Sequence, residues 1–241
     1  MLNHKKARPS AYQNLTMLKF TARILAELKE EVVFLGGCTT GLFITDIAAP
    51  DVRNTLDIDC LVDVISVRDY HLVEKKLERR GFKKVINDDT CRWHYEKLLR
   101  LTLDVLPTRQ EILGFGSPWF KAAIKNSISH QISENLIIKT VDVPHFLATK
   151  IIAFEERGNH DFLASHDFED IVTVIDGRAE VVEDIASTYP KLKKHIVKTF
   201  ADFLADEQFQ VSLPGCLNDS KFVDGRVQKV LSRMKAIRNL I

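Results

Sequence analysis

Two aspartates two positions apart on a strand are the first feature of this chain that could do chemistry. Asp57 and Asp59 fall in the run Thr55–Val64, where Leu56, Ile58, Cys60 and Val62 alternate with Asp57, Asp59, Leu61 and Asp63. Strand periodicity sends residues two apart to the same side, so both carboxylates share a face with Cα atoms roughly 6–7 Å apart. Like charges held that close call for a cation, and hard oxygen ligands select Mg²⁺ or Mn²⁺. A second alternating run, Leu101–Leu106, puts Asp104 on one face with Thr102 and would add a third carboxylate, enough for two ions. Two ions suit phosphoryl transfer, one activating an attacking hydroxyl and the other neutralising a polyphosphate leaving group. A D-x-D pair is also a common pattern on an exposed strand, and Asp63, at the far end of the same face, reads as simply solvated.

The elements that must position these acids follow from pattern. Glu31–Leu35 is a short β-prone run that stops at Gly36-Gly37, and Cys38–Ile47 can form a helix beginning beside the glycines. Such a turn lets backbone N–H groups approach phosphate oxygens, with the helix N-terminus adding partial positive charge; its ordinary alternative is a tight turn. Ala11–Glu30 carries Leu15, Leu18, Ile24, Leu25 and Leu28 at helical spacing. Val67–Arg80 reads as a charged helix closed by Gly81, and Phe82–Ile86 and Cys91–Glu96 as strands, with Pro107 ending the Asp104 strand. Beyond Ser117 the pattern turns helical apart from an extended piece at Leu136–Val143. Helices are expected from Pro144 to Arg157 and over His166–Asp176, Val181–Tyr189, Leu192–Asp206 and Phe222–Leu240. The reading is an α+β fold, a mixed sheet flanked by helices over residues 1–143, followed by a helical C-terminal region over residues 144–241.

Bulk composition narrows the classes. The 241 residues are 45% hydrophobic and 28% charged, values of an ordinary globular chain. A formal net charge of +1 gives no whole-protein field for nucleic acid. Cys38, Cys60, Cys91 and Cys216 form no CxxC pair, which argues against a zinc ribbon or disulfide framework and for reduced thiols. The basic start, Met1–Ser10, lacks a following apolar stretch, and no run approaches membrane-spanning length, so a cytoplasmic protein with no membrane partner is expected. His145, His160 and His166 lack zinc-protease spacing, and neither a P-loop nor a G-x-S-x-G elbow is present.

Taken together, Val33-Phe34-Leu35-Gly36-Gly37, Arg53-x-Thr55-x-Asp57-Ile58-Asp59 and Leu103-Asp104-Val105 resemble the signature of the DNA polymerase β-like nucleotidyltransferase superfamily. The distance from the glycines to Asp57 is longer than in compact members and is similar to the AbiEii-like branch, which includes toxins of toxin–antitoxin and phage-defence systems. Phe146-Leu147-Ala148-Thr149-Lys150 and His166-Asp167-Phe168-Glu169-Asp170-Ile171 look like the lysine helix and the acidic helix of that branch. The resemblance implies a Mg²⁺- or Mn²⁺-dependent transferase that takes an NTP such as ATP as substrate. Asp57, Asp59 and Asp104 would be its metal-binding catalytic acids. Its acceptor would be an RNA, a protein or a small molecule, with an antitoxin protein as partner. The rival is a nucleotide- or partner-binding module that keeps the fold without turnover.

The supporting residues carry two readings each. Lys150 interrupts an apolar run, so its ammonium must reach water or an anion. The resemblance sends it to nucleotide phosphates, and the bland alternative pairs it with a nearby acid; Arg157 lies on roughly the same helix face. Asp167 and Asp170 share one face, either near a nucleotide pocket or as a helix cap and dipole partner. Arg53 and Thr55 touch phosphate or merely steady the start of the acidic strand, while Gly36 and Gly37 would grip the triphosphate. The six Lys or Arg between Lys221 and Ile241 predict a docked helix with a basic outer face, available to RNA or to an acidic partner.

Overall fold

The structure is a computed structural model describing residues 8–85, 91–97, 101–158, 160–217 and 223–241. Ile86, Lys221 and Phe222, at the ends of expected elements, lie outside the described residues. In chain order the elements are α1 (Pro9–Leu25), β1 (Val32–Leu35), α2 (Thr40–Phe43), β2 (Asp57–Val62), α3 (Val67–Arg79), β3 (Phe82–Lys84), β4 (Arg92–Tyr95) and β5 (Thr102–Pro107). They continue with α4 (Gln110–Leu113), α5 (Phe120–Lys125), β6 (Ile128–Ser133), β7 (Leu136–Thr140), α6 (Val143–Arg157), α7 (His166–Gly177), α8 (Val181–Ser187), α9 (Pro190–Ala205), α10 (Glu207–Ser212) and α11 (Val223–Arg238). The chain divides into a sheet unit, Ser10–Thr39 with Asn54–Asp142, and a helical unit, Met1–Pro9, Thr40–Arg53 and Val143–Ile241.

The sheet unit holds one seven-stranded mixed sheet, ordered β3-β4-β5-β2-β1-β7-β6. Pairs β2/β5 and β1/β7 are parallel and the others antiparallel. β2 is therefore central, and beyond its acidic start Cys60, Leu61 and Val62 are all buried. Because β5 runs parallel to β2 and β1 antiparallel, the beginnings of β2 and β5 and the end of β1 share one edge of the sheet. Ile58, Cys60, Trp93, Leu103 and Val105 form the buried layer behind it. Leu56, expected on the apolar face, precedes the strand and is 64% exposed.

Local chemistry explains the flanking elements. α1 buries Leu18, Ala22 and Leu25, one stripe at helical spacing, and passes into a 3-10 turn, Ala26–Glu30, where a longer helix was expected. Asn14, buried on α1, accepts from the Thr55 N–H at 3.2 Å and steadies the approach to β2. α3 starts at Ser66, whose hydroxyl accepts from the Asp69 N–H, and closes before Gly81 at φ +91°. β7 falls within the extended piece expected at Leu136–Val143, and β6 corrects the expected helical character before it: β6 is an outer edge strand that buries only Ile132, so its apolar alternation was too weak to read.

In the helical unit, Phe154, Phe162, Phe168, Phe203 and Phe209 meet with ring centroids 4.9–6.0 Å apart. Thr45 and Asp46 donate their N–H groups to the Gly177 carbonyl at 3.1 and 2.9 Å, tying the Thr40–Arg53 excursion to α7. α11 buries Val230, Met234 and Ile237, but its basic residues do not all face outward as expected. Arg226 pairs with Asp176 at 2.5 Å, Lys229 with Asp46 at 2.9 Å, and Arg233 donates to the Ile175 and Asp176 carbonyls. The anionic C-terminal end of α7 and the Asp46 carboxylate draw these three cations inward, while Lys235 and Arg238 stay exposed.

Candidate functional site

Asp57, Asp59 and Asp104, in the sheet unit, lie on one face because of strand register. Asp57 and Asp59 are two apart on β2, and the parallel pairing sets Asp57 beside Thr102 and Asp59 beside Asp104. Sequence periodicity supplies the first relation, whereas the lateral one needs the strand order. Asp57 keeps 44% of its side chain exposed and Asp104 only 14%.

Gly36 completes this edge. Leu35 pairs with Asp59, and the next residue turns the chain at φ +78°, where a Cβ would lie 1.9 Å from Asp59 Oδ2. The Asp59 carboxylate thus rests against bare backbone, which only glycine leaves open. The Thr39 hydroxyl donates to the Gly36 carbonyl at 2.8 Å, and Gly37 opens a single 3-10 turn, Gly37–Thr39. The long helix expected from Cys38 to Ile47 is replaced by this turn and the four residues of α2, so little helix dipole is available there.

A residue that sequence reasoning missed joins the row. Arg92, first on β4, pairs with Asp104 across the antiparallel β4/β5 ladder. Its Nε meets Asp104 Oδ1 at 3.0 Å and its Nη2 meets Oδ2 at 2.9 Å, a bidentate fork, with Nη2 also 3.7 Å from Asp57 Oδ2. Arg92 belongs to a recognisable strand, but nothing in the sequence ties that strand to β5 rather than to another. Among the described residues, no three or more His, Cys, Asp or Glu side chains stand as a ready set of metal ligands. Both oxygens of Asp104 are engaged by the guanidinium instead.

The donor chemistry nonetheless fits a hard cation. Three carboxylates share a face, and the Asp59 oxygen sits in a space that any Cβ at position 36 would fill. The thiols behind this face are no rivals as nucleophiles. Burial pushes Cys60 well up, with Cys91 and Asp59 adding to the shift, and burial together with Asp104 pushes Cys91 up to about 12.

The remaining candidates divide between the two units. Thr55 is buried in the sheet unit, whereas Arg53, Lys150, Asp167 and Asp170 form one ion network in the helical unit. Lys150 Nζ lies 2.8 Å from Asp167 and 2.6 Å from Asp170, and Arg53 grips Asp170 with two bonds of 3.0 Å. Arg157, 74% exposed, reaches Asp167 at 3.2 Å. Burial opposes the Lys150 charge, but Asp170 and Asp167 outweigh it and hold its pKa above the ordinary lysine value. Burial likewise opposes the Asp167 charge, and Lys150 and Arg157 overcome it and hold that carboxyl low. The α7 cap is Ser165, accepting from the Phe168 N–H, so Asp167 serves the network rather than the cap.

No protein-family model matches the chain. A search of curated proteins also finds no match. Among solved structures the chain is similar to JHP933 from Helicobacter pylori, with TM-score 0.50 and 13% identity over 94% of this chain and 92% of that one. A second H. pylori structure, named "putative nucleotidyltransferase", aligns at TM-score 0.41 and 13% identity over 94% and 95% of the two chains. The first likeness shows a shared fold.

Proposed function

We propose that this protein is a divalent-metal-dependent nucleotidyltransferase of the polymerase β-like type, moving a nucleoside monophosphate from an NTP to an acceptor hydroxyl. The observation that carries the reading is the register of Asp57, Asp59 and Asp104 on one sheet face with Asp59 seated against Gly36. Asp57 and Asp59 would hold the cation, and Asp104 the cation nearest the acceptor. A bound Mg²⁺ or Mn²⁺ would supply charge neutralisation for the triphosphate and acidity for the acceptor hydroxyl. In the transfer the acceptor oxygen bonds to the α-phosphorus, the α–β bridging P–O bond breaks, and pyrophosphate leaves. The hydroxyl proton passes to a carboxylate on this face, for which Asp104 is the candidate.

The backbone at Gly36 and Gly37 is read as the triphosphate's contact. Lys150 is read as a phosphate ligand through the sequence resemblance. Its ammonium is shared between two carboxylates, which leaves at most one of its three N–H donors for a phosphate. On motif spacing we read the chain as AbiEii-like, with an antitoxin as partner and a cytoplasmic setting. Among the described residues, no helix is long and apolar enough to cross a membrane.

One observation favours a second reading, a binding module without turnover: the guanidinium of Arg92 already neutralises Asp104. Calorimetric titration of each NTP with Mg²⁺ into the wild type and into Asp57→Ala/Asp59→Ala separates the two. Metal-dependent binding of an NTP that the double variant loses supports the transferase, and transfer is then sought as pyrophosphate release with candidate acceptors. Binding that ignores both the metal and the aspartates supports the module, and no binding of any NTP sinks the transferase.

A further inference from the structure

The carboxylate face carries its own counter-ion. Arg92 engages both oxygens of Asp104 and lies 3.7 Å from Asp57, so one guanidinium serves both of these acids. The guanidinium takes one lone pair of each Asp104 oxygen and neutralises the carboxylate, so a hard cation coming to this face competes with it for the same oxygens and the same charge. The two partners differ in freedom. Asp104 is 14% exposed and set in the middle of β5, whereas Arg92 begins β4, is 34% exposed and ends in a long flexible side chain. Arg92 is therefore the group that can move.

Building on the metal-dependent reading above, we propose that Arg92 is a displaceable latch: a divalent cation binds the aspartate face only as the Arg92 guanidinium leaves Asp104. Cation affinity is then lowered by the fraction of molecules in which the latch is closed. Carboxylate and guanidinium keep each other neutral in the absence of metal, which relieves the repulsion of three like charges on one face. Release also frees a guanidinium beside the bound cation, positioned for whatever anion the cation brings. Arg92 acts here through Asp104 and is a positioning residue.

The test is Mn²⁺ titration of the full chain, followed by the electron paramagnetic resonance signal of free Mn²⁺, with no substrate present. Arg92→Gln is expected to bind Mn²⁺ about two- to fivefold more tightly than the wild type, the weight of one partly exposed ion pair. Arg92→Lys, which keeps the charge but cannot span both oxygens, is expected to fall between them, and it supplies the comparison if Arg92→Gln does not fold. Asp57→Asn/Asp59→Asn is expected to abolish binding in every background. Equal or weaker Mn²⁺ binding by Arg92→Gln, with the aspartate dependence intact, overturns the latch and leaves the metal site standing. Binding that is absent from wild type and Arg92 variants alike, or indifferent to Asp57 and Asp59, overturns both.

Discussion

Gly36 and Asp59 occupy one space: the Cβ that any other residue would bring to position 36 would stand 1.9 Å from Asp59 Oδ2. The two positions are linked because β1 runs antiparallel to β2 with Leu35 beside Asp59, so the turn at φ +78° falls over the carboxylate. Gly36→Ala should act twice. The left-handed backbone costs about 1–2 kcal/mol for an alanine, read as a lower denaturant midpoint. Asp59, being a side chain, can swing aside, so Mn²⁺ and NTP binding should fall much further than stability does. Full Mn²⁺ affinity retained by the Gly36→Ala variant would mean that Asp59 does not need this seat.

Lys150→Met tests the buried network of the helical unit. The substitution keeps most of the volume but leaves Asp167 and Asp170 facing each other, with Arg157 and Arg53 as their remaining partners. Breaking a buried pair from one side costs about 3–5 kcal/mol, and the second cation on each acid should keep the loss at the lower end. Chemical denaturation measures it. If stability is unchanged while NTP binding disappears, the lysine serves phosphate rather than the fold.

The same network sets a pH dependence. Asp167 has a folded pKa below its ordinary value, so its contribution is present above about pH 4 and is lost as pH falls through the lowered value. Lys150 has a folded pKa above its ordinary value, so its contribution is present below about pH 10 and is lost as pH rises through the raised value. Melting temperature should be flat through neutrality and fall at both extremes. Asp167→Asn should flatten the acid limb, and an unchanged limb would assign acid unfolding to other carboxylates.

What was legible in the sequence was local. A period of two put Asp57 and Asp59 on one face, glycines marked the end of β1, and a period of 3.6, with Pro144 at the start of α6, outlined α6 to α9 and α11 to within a few residues. Those signals depend only on neighbours in the chain. β6 escaped because an edge strand buries too little to write an apolar pattern, and the helix after Gly37 shrank because its residues turn off to contact α7.

Lateral relations are not written in the strands themselves, since nothing in a strand's composition names its neighbour, and only the family resemblance set Asp104 with Asp57 and Asp59. The tertiary structure alone decided that β5 lies parallel beside β2 with Asp104 level with Asp59, and that β4 follows with Arg92 level with Asp104. It also decided where charges go: Arg226, Lys229 and Arg233 look like a solvated basic face in the helix pattern, yet they turn toward Asp46, Asp176 and the carbonyl end of α7. The amino-acid order determined which residues carry charge and on which side of their own element. Packing determined which opposite charge each of them meets, because a buried ion settles only where the fold brings a partner to it.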